Sequence, residues 1–512
     1  MDSNNKTLIK NSVFLYLRMF IVMAVGLYTS RLVLDALGVE DYGIYNVVGS
    51  VVTMLIFLNV AMTTSTQRFL SVELGKGDYD SLAKAFSVSL VIHFVIALFV
   101  VLLCETVGVW FLYHKMSIPD SRVDAAFWAL QLSILTTFLS IISVPYNALI
   151  ISHEKMNAFA IISIVDVILK LLICYVLYLF DGDRLVLYAS LMALVQLIDR
   201  CLYWGYCRKH FVESKFKLFL HSPFYKKMLS FASWVLLPQF AYVCNTSGQN
   251  LLLNTFFTPV INAARGIAVQ VNSAVQQFSS NFQMAVSPQI TKSYASGDYE
   301  RTYMLVVNSS RFSVYLLYIC SLPIILKVHA ILSLWLVEVP NYTAIFLQLT
   351  LVDGIVHCLY TPIDMVVNAH GKMKIPGIVN GILMIIVLPI SYFCLLAGLS
   401  PTSVFIVQII MTYIILFARL IIAKHYCGLS IRTYYKSVLF RPFVVICISL
   451  LPPVVWSYTL GQGDGFLPII TTAIISMMSV GITILFIGLS NSERSLLLVY
   501  IKNKISFISN KK

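Results

Sequence analysis

Charge is scarce in this chain of 512 residues: only 12% are Asp, Glu, Lys or Arg, while 59% are apolar. A soluble globular domain carries about 25% charged residues, so that class is excluded and an integral membrane protein is expected. Metal-binding cysteine patterns are also missing. The ten cysteines, Cys104, Cys174, Cys244 and Cys447 among them, lie mostly in apolar runs with no CxxC pair or histidine-rich partner. Neither a metal site nor a disulfide framework is therefore expected, and the cysteines read as small hydrophobes. No GxxxxGK[ST] occurs, and GKG at Gly75 and GKM at Gly371 lack the rest of a phosphate cradle, so ATP hydrolysis is not expected. No small-residue cleavage site follows the apolar run that reaches about Leu34, which makes that run a first span and not a signal peptide.

What is present is a succession of long apolar stretches. A spanning helix needs about 20 predominantly apolar residues. Cutting at charge clusters places spans at 11–34, 44–66, 84–113, 125–150, 157–180, 185–206, 228–255, 258–286, 303–326, 342–368, 375–397, 402–424, 440–459 and 465–488. The expected fold is all-α, with about 14 transmembrane helices. Most Lys and Arg fall at the termini and in the connections after even-numbered spans. Examples are Arg208, Lys209, Lys215, Lys217, Lys226 and Lys227 after the sixth span, and Arg419, Lys424, Arg432, Lys436 and Arg441 after the twelfth. By the positive-inside rule both termini are expected to be cytoplasmic. The net charge of +13 is mostly this asymmetry, so it meets an anionic membrane surface and calls for no nucleic-acid partner.

The stretch PYNALIISHEKM at 145–156 returns as PIDMVVNAHGKM at 362–373: Pro145, His153, Lys155 and Met156 map onto Pro362, His370, Lys372 and Met373 without a gap. GDYDSLAKAFS from Gly77 likewise pairs with GDYERTYMLVV from Gly297. The chain is thus read as a duplication: a six-helix lobe at 1–210, a basic cytoplasmic linker at 211–227, a second six-helix lobe at 228–430, and two further spans with a tail at 431–512. An even number of spans per half gives both lobes one orientation, related by an axis along the membrane normal, with a cavity between them. The paired Pro145 and Pro362 are expected to kink their helices and act as hinges, with simple packing as the alternative.

TSRLVLDALGVEDYGIYNVV from Thr29 and STQRFLSVELGKGDY from Ser65, with the six-plus-six-plus-two layout, resemble the multidrug/oligosaccharidyl-lipid/polysaccharide (MOP) exporter superfamily, and within it the Wzx-type polysaccharide flippases. The resemblance covers essentially the whole chain. It implies a MATE-like fold and a bacterial inner-membrane protein that is not an enzyme. It also implies export of lipid-linked oligosaccharide repeat units for O-antigen or capsule, with membrane lipids and the polysaccharide polymerase machinery as partners.

The residues supply a physical case for an anionic cargo. Asn262, Arg265, Asn272, Ser273, Gln276 and Ser280 fall within a narrow helical arc, and the preceding span adds Gln239, Asn245, Gln249 and Asn250. Arg18, Arg31, Lys170 and Arg265 give the expected cavity a cationic bias. A guanidinium holds phosphate bidentately and stays charged, which suits a polyprenyl-pyrophosphate head group. Asp166 stands four residues from Lys170, and Arg31 four from Asp35, so each pair can also neutralise itself. Asp166, Asp199, Asp353 and Asp364 are candidates for ion pairing or for H+ or Na+ coupling. No cofactor is expected. A drug or cation antiporter of the same superfamily, which would present carboxylates to its cargo, is the main alternative. A membrane enzyme of polysaccharide assembly is a weaker one, because the outer connections are short and their histidines, His114 and His329, lack partners.

Overall fold

The structure, a computed structural model, describes residues 3–53, 56–114, 118–219, 221–257, 259–336, 339–459, 461, 463, 465–490 and 493–495. The regular elements are helices: α1 Ser3–Thr53, α2 Ile56–Lys76, α3 Tyr79–Leu103, α4 Val109–His114, α5 Val123–Ser152, α6 Met156–Tyr178 and α7 Arg184–His210. They continue with α8 Phe224–Phe256, α9 Pro259–Ala295, α10 Tyr299–Leu326, α11 Val328–Trp335, α12 Thr343–His370, α13 Lys374–Leu396 and α14 Thr402–Cys427, then α15 Ile431–Tyr434, α16 Arg441–Tyr458 and α17 Phe466–Thr483. Among the described residues, ten helical segments are long and apolar enough to cross a membrane. α8 and α9 are 33 and 37 residues long and richer in polar side chains. The chain is a multi-pass, all-helical membrane protein.

Several helices outrun the apolar stretches that announce them. The second stretch ends at 66 in sequence, yet α2 runs on through Arg68 and Glu73 to Lys76. α9 passes 286 and ends at Ala295. A charge cluster marks where hydrocarbon must stop, whereas backbone hydrogen bonding continues as long as no residue breaks it. Between the stretches 11–34 and 44–66 the chain bends inside α1, where Gly38 has φ +78° and ψ 168°.

The two matched GDY stretches make like turns. α2 ends with the Gly77 amide donating to the Leu74 carbonyl (3.2 Å) and the Asp78 amide to the Glu73 carbonyl (3.1 Å). α9 ends the same way, Gly297 to Tyr294 (3.2 Å) and Asp298 to Ser293 (3.0 Å). Both glycines have positive φ, +73° and +82°, the left-handed C-terminal cap that glycine adopts without a Cβ penalty. Asp78 then caps the next helix, accepting from the Ser81 amide at 2.9 Å. Pro145 lies inside α5 and Pro362 inside α12, both buried.

The chain forms two compact units. One comprises Leu8–Phe240 with Pro288–Asp298; the other is Ala241–Ser287 with the chain from Tyr299 onward and the N-terminal residues to Thr7. The divisions fall inside α8 and α9, two residues after Pro238 and immediately before Pro288. In the first unit α5 packs against α2, α3 and α7, and α6 against α7. In the second, α12 packs against α10 and α14, α13 against α14, and α17 against α10 and α16.

Candidate functional site

Each unit holds a polar centre among apolar helices, where every buried donor or acceptor needs a partner. In the first unit Arg18 on α1 stacks on the Phe159 ring, with its guanidinium carbon 4.6 Å from the ring centroid. Its Nε is buried without a hydrogen-bond partner. Lys170 Nζ lies 2.8 Å from the Asp166 carboxylate on the same face of α6, and Asp166 in turn meets the buried Asp199 of α7. The Tyr203 hydroxyl closes the group by bonding Ser163 and Asn147. The helical spacing of Asp166 and Lys170 thus yields an ion pair with a second carboxyl beside it. Arg31 lies on α1, and its side chain is outside the described residues.

In the second unit Arg265, on α9 and only 6% exposed, turns to the polar face of α8. One terminal nitrogen donates to Asn250 Oδ1, the other to Gln249 Oε1 at 3.1 Å and the Thr246 carbonyl at 3.4 Å. Its Nε has no partner. All these acceptors are neutral, so a full positive charge sits in the interior, held by amides and one carbonyl. Such a charge is costly to place at membrane depth.

From Arg265 the hydrogen bonds run on. Gln249 Nε2 donates to Gln408 Oε1 of α14 (3.0 Å), as does Asn245 Nδ2 (3.1 Å). Gln408 Nε2 reaches Thr412 Oγ1 (3.3 Å), and the Thr412 hydroxyl lies 2.6 Å from Asp353 Oδ1 on α12. Four helices are linked from a guanidinium to a carboxylate. Gln408 and Thr412 are absent from the sequence-derived candidates. Their visible signal was two polar residues four apart in the apolar stretch 402–424, costly on a lipid face.

The arc expected along α9 divides. Asn272 and Gln276 face α12, where a Cβ on Gly354 would collide with both side chains. Gln276 Oε1 also accepts from the Cys358 thiol at 3.8 Å. Ser273 and Ser280 are exposed and bond carbonyls of their own helix. The Asn262 side chain is outside the described residues.

Arg419 corrects the reading of the basic connection after the twelfth span. It lies within α14, only 5% exposed, paired with Asp364 of α12. Its Nε donates to Asn380 of α13 at 3.1 Å, and its guanidinium covers Tyr360 at 3.9 Å. Position 419 falls inside the apolar stretch 402–424, and Asp364 supplies the counter-charge that lets an arginine stay inside. Asp364 is thus tied into a three-helix contact, whereas Asp353 meets only a hydroxyl among the described hydrogen bonds. No group of three His, Cys, Asp or Glu able to hold a metal ion occurs among the described residues.

Comparison with known proteins gives this arrangement its context. No curated protein matches the chain in sequence. Solved structures do match in fold. A multidrug resistance MATE family transporter of the MOP superfamily, in an outward-facing conformation, superposes with TM-score 0.69 at 14% identity over 83% of this chain and 96% of that one. A MATE in the straight conformation gives 0.69 at 14% identity over 85% and 98%. A MOP superfamily transporter from Pyrococcus furiosus gives 0.65 at 14% identity over 84% and 98%. At that identity the likeness is one of fold. The MatE family model matches residues 15–176 and 250–393, together more than half of the chain. With its all-helical fold and its two interior polar centres, the chain belongs to the MatE family.

Proposed function

We propose that this transporter exports an anionic, lipid-linked cargo: a polyprenyl-pyrophosphate oligosaccharide moved from the cytoplasmic to the outer leaflet of a bacterial inner membrane, for O-antigen or capsule assembly. The observation that carries this reading is Arg265, buried, bonded only to neutral acceptors among the described residues, and with its Nε donor unused. A phosphate oxygen would fill that donor, and charge-assisted bonds of this kind are roughly twice as strong as neutral ones. Arg18 in the other unit, stacked on Phe159 with its Nε also unused, supports the same reading. Asn245, Gln249, Asn272 and Gln276 supply the amide chemistry that addresses sugar hydroxyls. The inside-negative potential favours outward movement of negative charge by about 2.3 kcal/mol per charge per 100 mV. The distribution of Lys and Arg supports cytoplasmic termini.

A second reading, drug or cation antiport, is favoured by Asp353, whose described hydrogen bond comes from a neutral hydroxyl, and it fits the family at least as well. One of the similar structures is a multidrug resistance transporter. The Pyrococcus furiosus transporter is described as having a binding pocket of reverse polarity, which suggests a different function. The test is surface polysaccharide in a strain that depends on this gene, with membrane protein level measured alongside. Arg265→Ala should abolish or cripple export, and Arg265→Lys should restore part of it, since lysine keeps the charge and loses the fork. Normal polysaccharide from well-expressed Arg265→Ala protein would overturn the anionic reading in favour of antiport.

A further inference from the structure

The hydrogen bonds between Arg265 and Asp353 have a fixed direction. A guanidinium can only donate and an ionised carboxylate can only accept, so the two ends dictate how the amides between them lie. Gln249 must turn its oxygen to Arg265 and therefore its NH2 to Gln408 Oε1. Gln408 then has only its NH2 left for Thr412. Asn245 runs parallel, accepting from Gln249 at 3.2 Å and donating to Gln408 at 3.1 Å. Every step donates away from the arginine and toward the aspartate.

The last step has two positions. The single hydroxyl hydrogen of Thr412 faces two acceptors, Asp353 Oδ1 at 2.6 Å and the Gln408 carbonyl at 2.9 Å. While Asp353 is an anion, the shorter, charge-assisted bond holds the hydrogen. Once the carboxylate takes up a cation, that advantage is gone and the hydroxyl turns back to the Gln408 carbonyl, its ordinary partner one helical turn earlier.

We propose that Gln408 and Thr412 form a polarised relay through which an anion bound at Arg265 and a cation, a proton or sodium ion, bound at Asp353 strengthen one another's binding. This inference rests on the anionic-cargo reading above. The two charges are each other's relayed counter-ion. An anion on Arg265 withdraws the positive end from Asp353 and leaves that carboxylate more ready to take a cation; by linkage the cation frees Arg265 to the same degree. The two ligands then bind together, the opposite of the mutual exclusion that an antiporter requires. Among the described residues, the other titratable and charged groups near Asp353 are His357 and Tyr360 on α12 and Arg419 on α14, the last paired with Asp364.

The test uses purified full-length protein and sulfate, an anion whose charge is constant between pH 5.5 and 8. Affinity is read from thermal stabilisation at fixed ionic strength, and the part lost in Arg265→Gln is assigned to Arg265. In the wild type that part should strengthen roughly threefold to tenfold, the low end of usual coupling. Acidification without sodium and addition of sodium at pH 8 are separate arms that tell the two cations apart. Thr412→Val, which keeps the side-chain shape, should bind sulfate and lose the increase; Gln408→Met is the second variant should Thr412→Val fail to fold. Asp353→Asn should be tight and flat. An increase that persists in Thr412→Val or Gln408→Met, or one that survives in Asp353→Asn and disappears in His357→Gln, overturns the relay. So does a wild type that binds sulfate at Arg265 equally under all conditions. Equal sulfate binding by wild type and Arg265→Gln overturns the anion site itself.

Discussion

Lys292 Nζ lies 2.9 Å from Glu154 Oε1, and Gln289 Nε2 lies 3.0 Å from Glu154 Oε2, so one carboxylate clasps the last turns of α9 to the connection between α5 and α6. Glu154 does this from a left-handed backbone, φ +58°. Its counterpart in the repeat is Gly371, φ +90°. The matched position takes a positive φ twice, once with the residue suited to it and once with a residue that is strained there by about 1–2 kcal/mol but carries a charge.

Glu154→Gly and Glu154→Ala separate these two contributions. Glycine relieves the strain while losing the part-buried ion pair, so thermal stability should stay close to wild type. Alanine loses the pair and keeps the strain, and should unfold at lower temperature than either. Equal melting of the two variants would mean that the backbone conformation carries no cost.

Gly75 on α2 meets the same turns of α9. A Cβ there would stand 2.6 Å from the Lys292 carbonyl oxygen and 2.8 Å from its Cα, backbone atoms that cannot step aside. Gly75→Ala should destabilise by about 1–3 kcal/mol, read as a lowered midpoint in thermal unfolding. An unchanged midpoint would mean that the two helices part freely.

His153 Nε2 lies 2.5 Å from Glu213 Oε1, and its ring stacks on Phe211 with centroids 4.1 Å apart. Burial pushes the Glu213 carboxyl up, but the hydrogen bond from His153, a backbone hydrogen bond at Glu213 itself and the attraction of His153 together outweigh it, leaving it below its ordinary value. A carboxyl held low adds stability above its unfolded value, about 4.3, and that stability disappears as pH falls through the lowered folded value. His153→Ala should therefore cost about 1–3 kcal/mol near pH 7 for the unsatisfied buried acceptor, and the gap should close below about pH 4. A gap independent of pH would point to lost packing on Phe211 alone.

Asp353 and Asp364 should behave differently although both sit on α12. Asp364→Ala leaves Arg419 buried without its counter-charge, a change worth about 3–5 kcal/mol, and should lower the unfolding midpoint sharply. Asp353→Asn keeps an acceptor for Thr412 and should leave the midpoint nearly unchanged. Comparable losses from both would assign Asp353 to the scaffold.

Hydropathy made the helical class legible, because backbone in hydrocarbon has few alternatives to helix. It misjudged helix ends, as at Lys76 and Ala295, because composition reports the solvent while the helix follows its own hydrogen bonds. Arg265, Asn245 and Gln249 stood out in sequence since polar groups at membrane depth must face protein. Their partners did not: Gln408 lies 159 residues from Gln249, and no local spacing joins them. Arg419 was masked by its neighbours, for a run of basic residues at a helix end looks the same whether its first member is wet or paired with a carboxylate 55 positions earlier.

The composition of the first unit also bears on how the chain is made. Because Pro288–Asp298 belongs with Leu8–Phe240, this body cannot be finished when residue 240 leaves the ribosome. The intervening 241–287 must be synthesised and inserted first, a delay of several seconds at about 5–20 residues per second. Until then the surface of α2 around Gly75 stands uncovered in the nascent protein, open to whatever accompanies membrane insertion. A chain cut between its halves would leave that surface bare for good, unless the missing turns of α9 were supplied from a separate polypeptide.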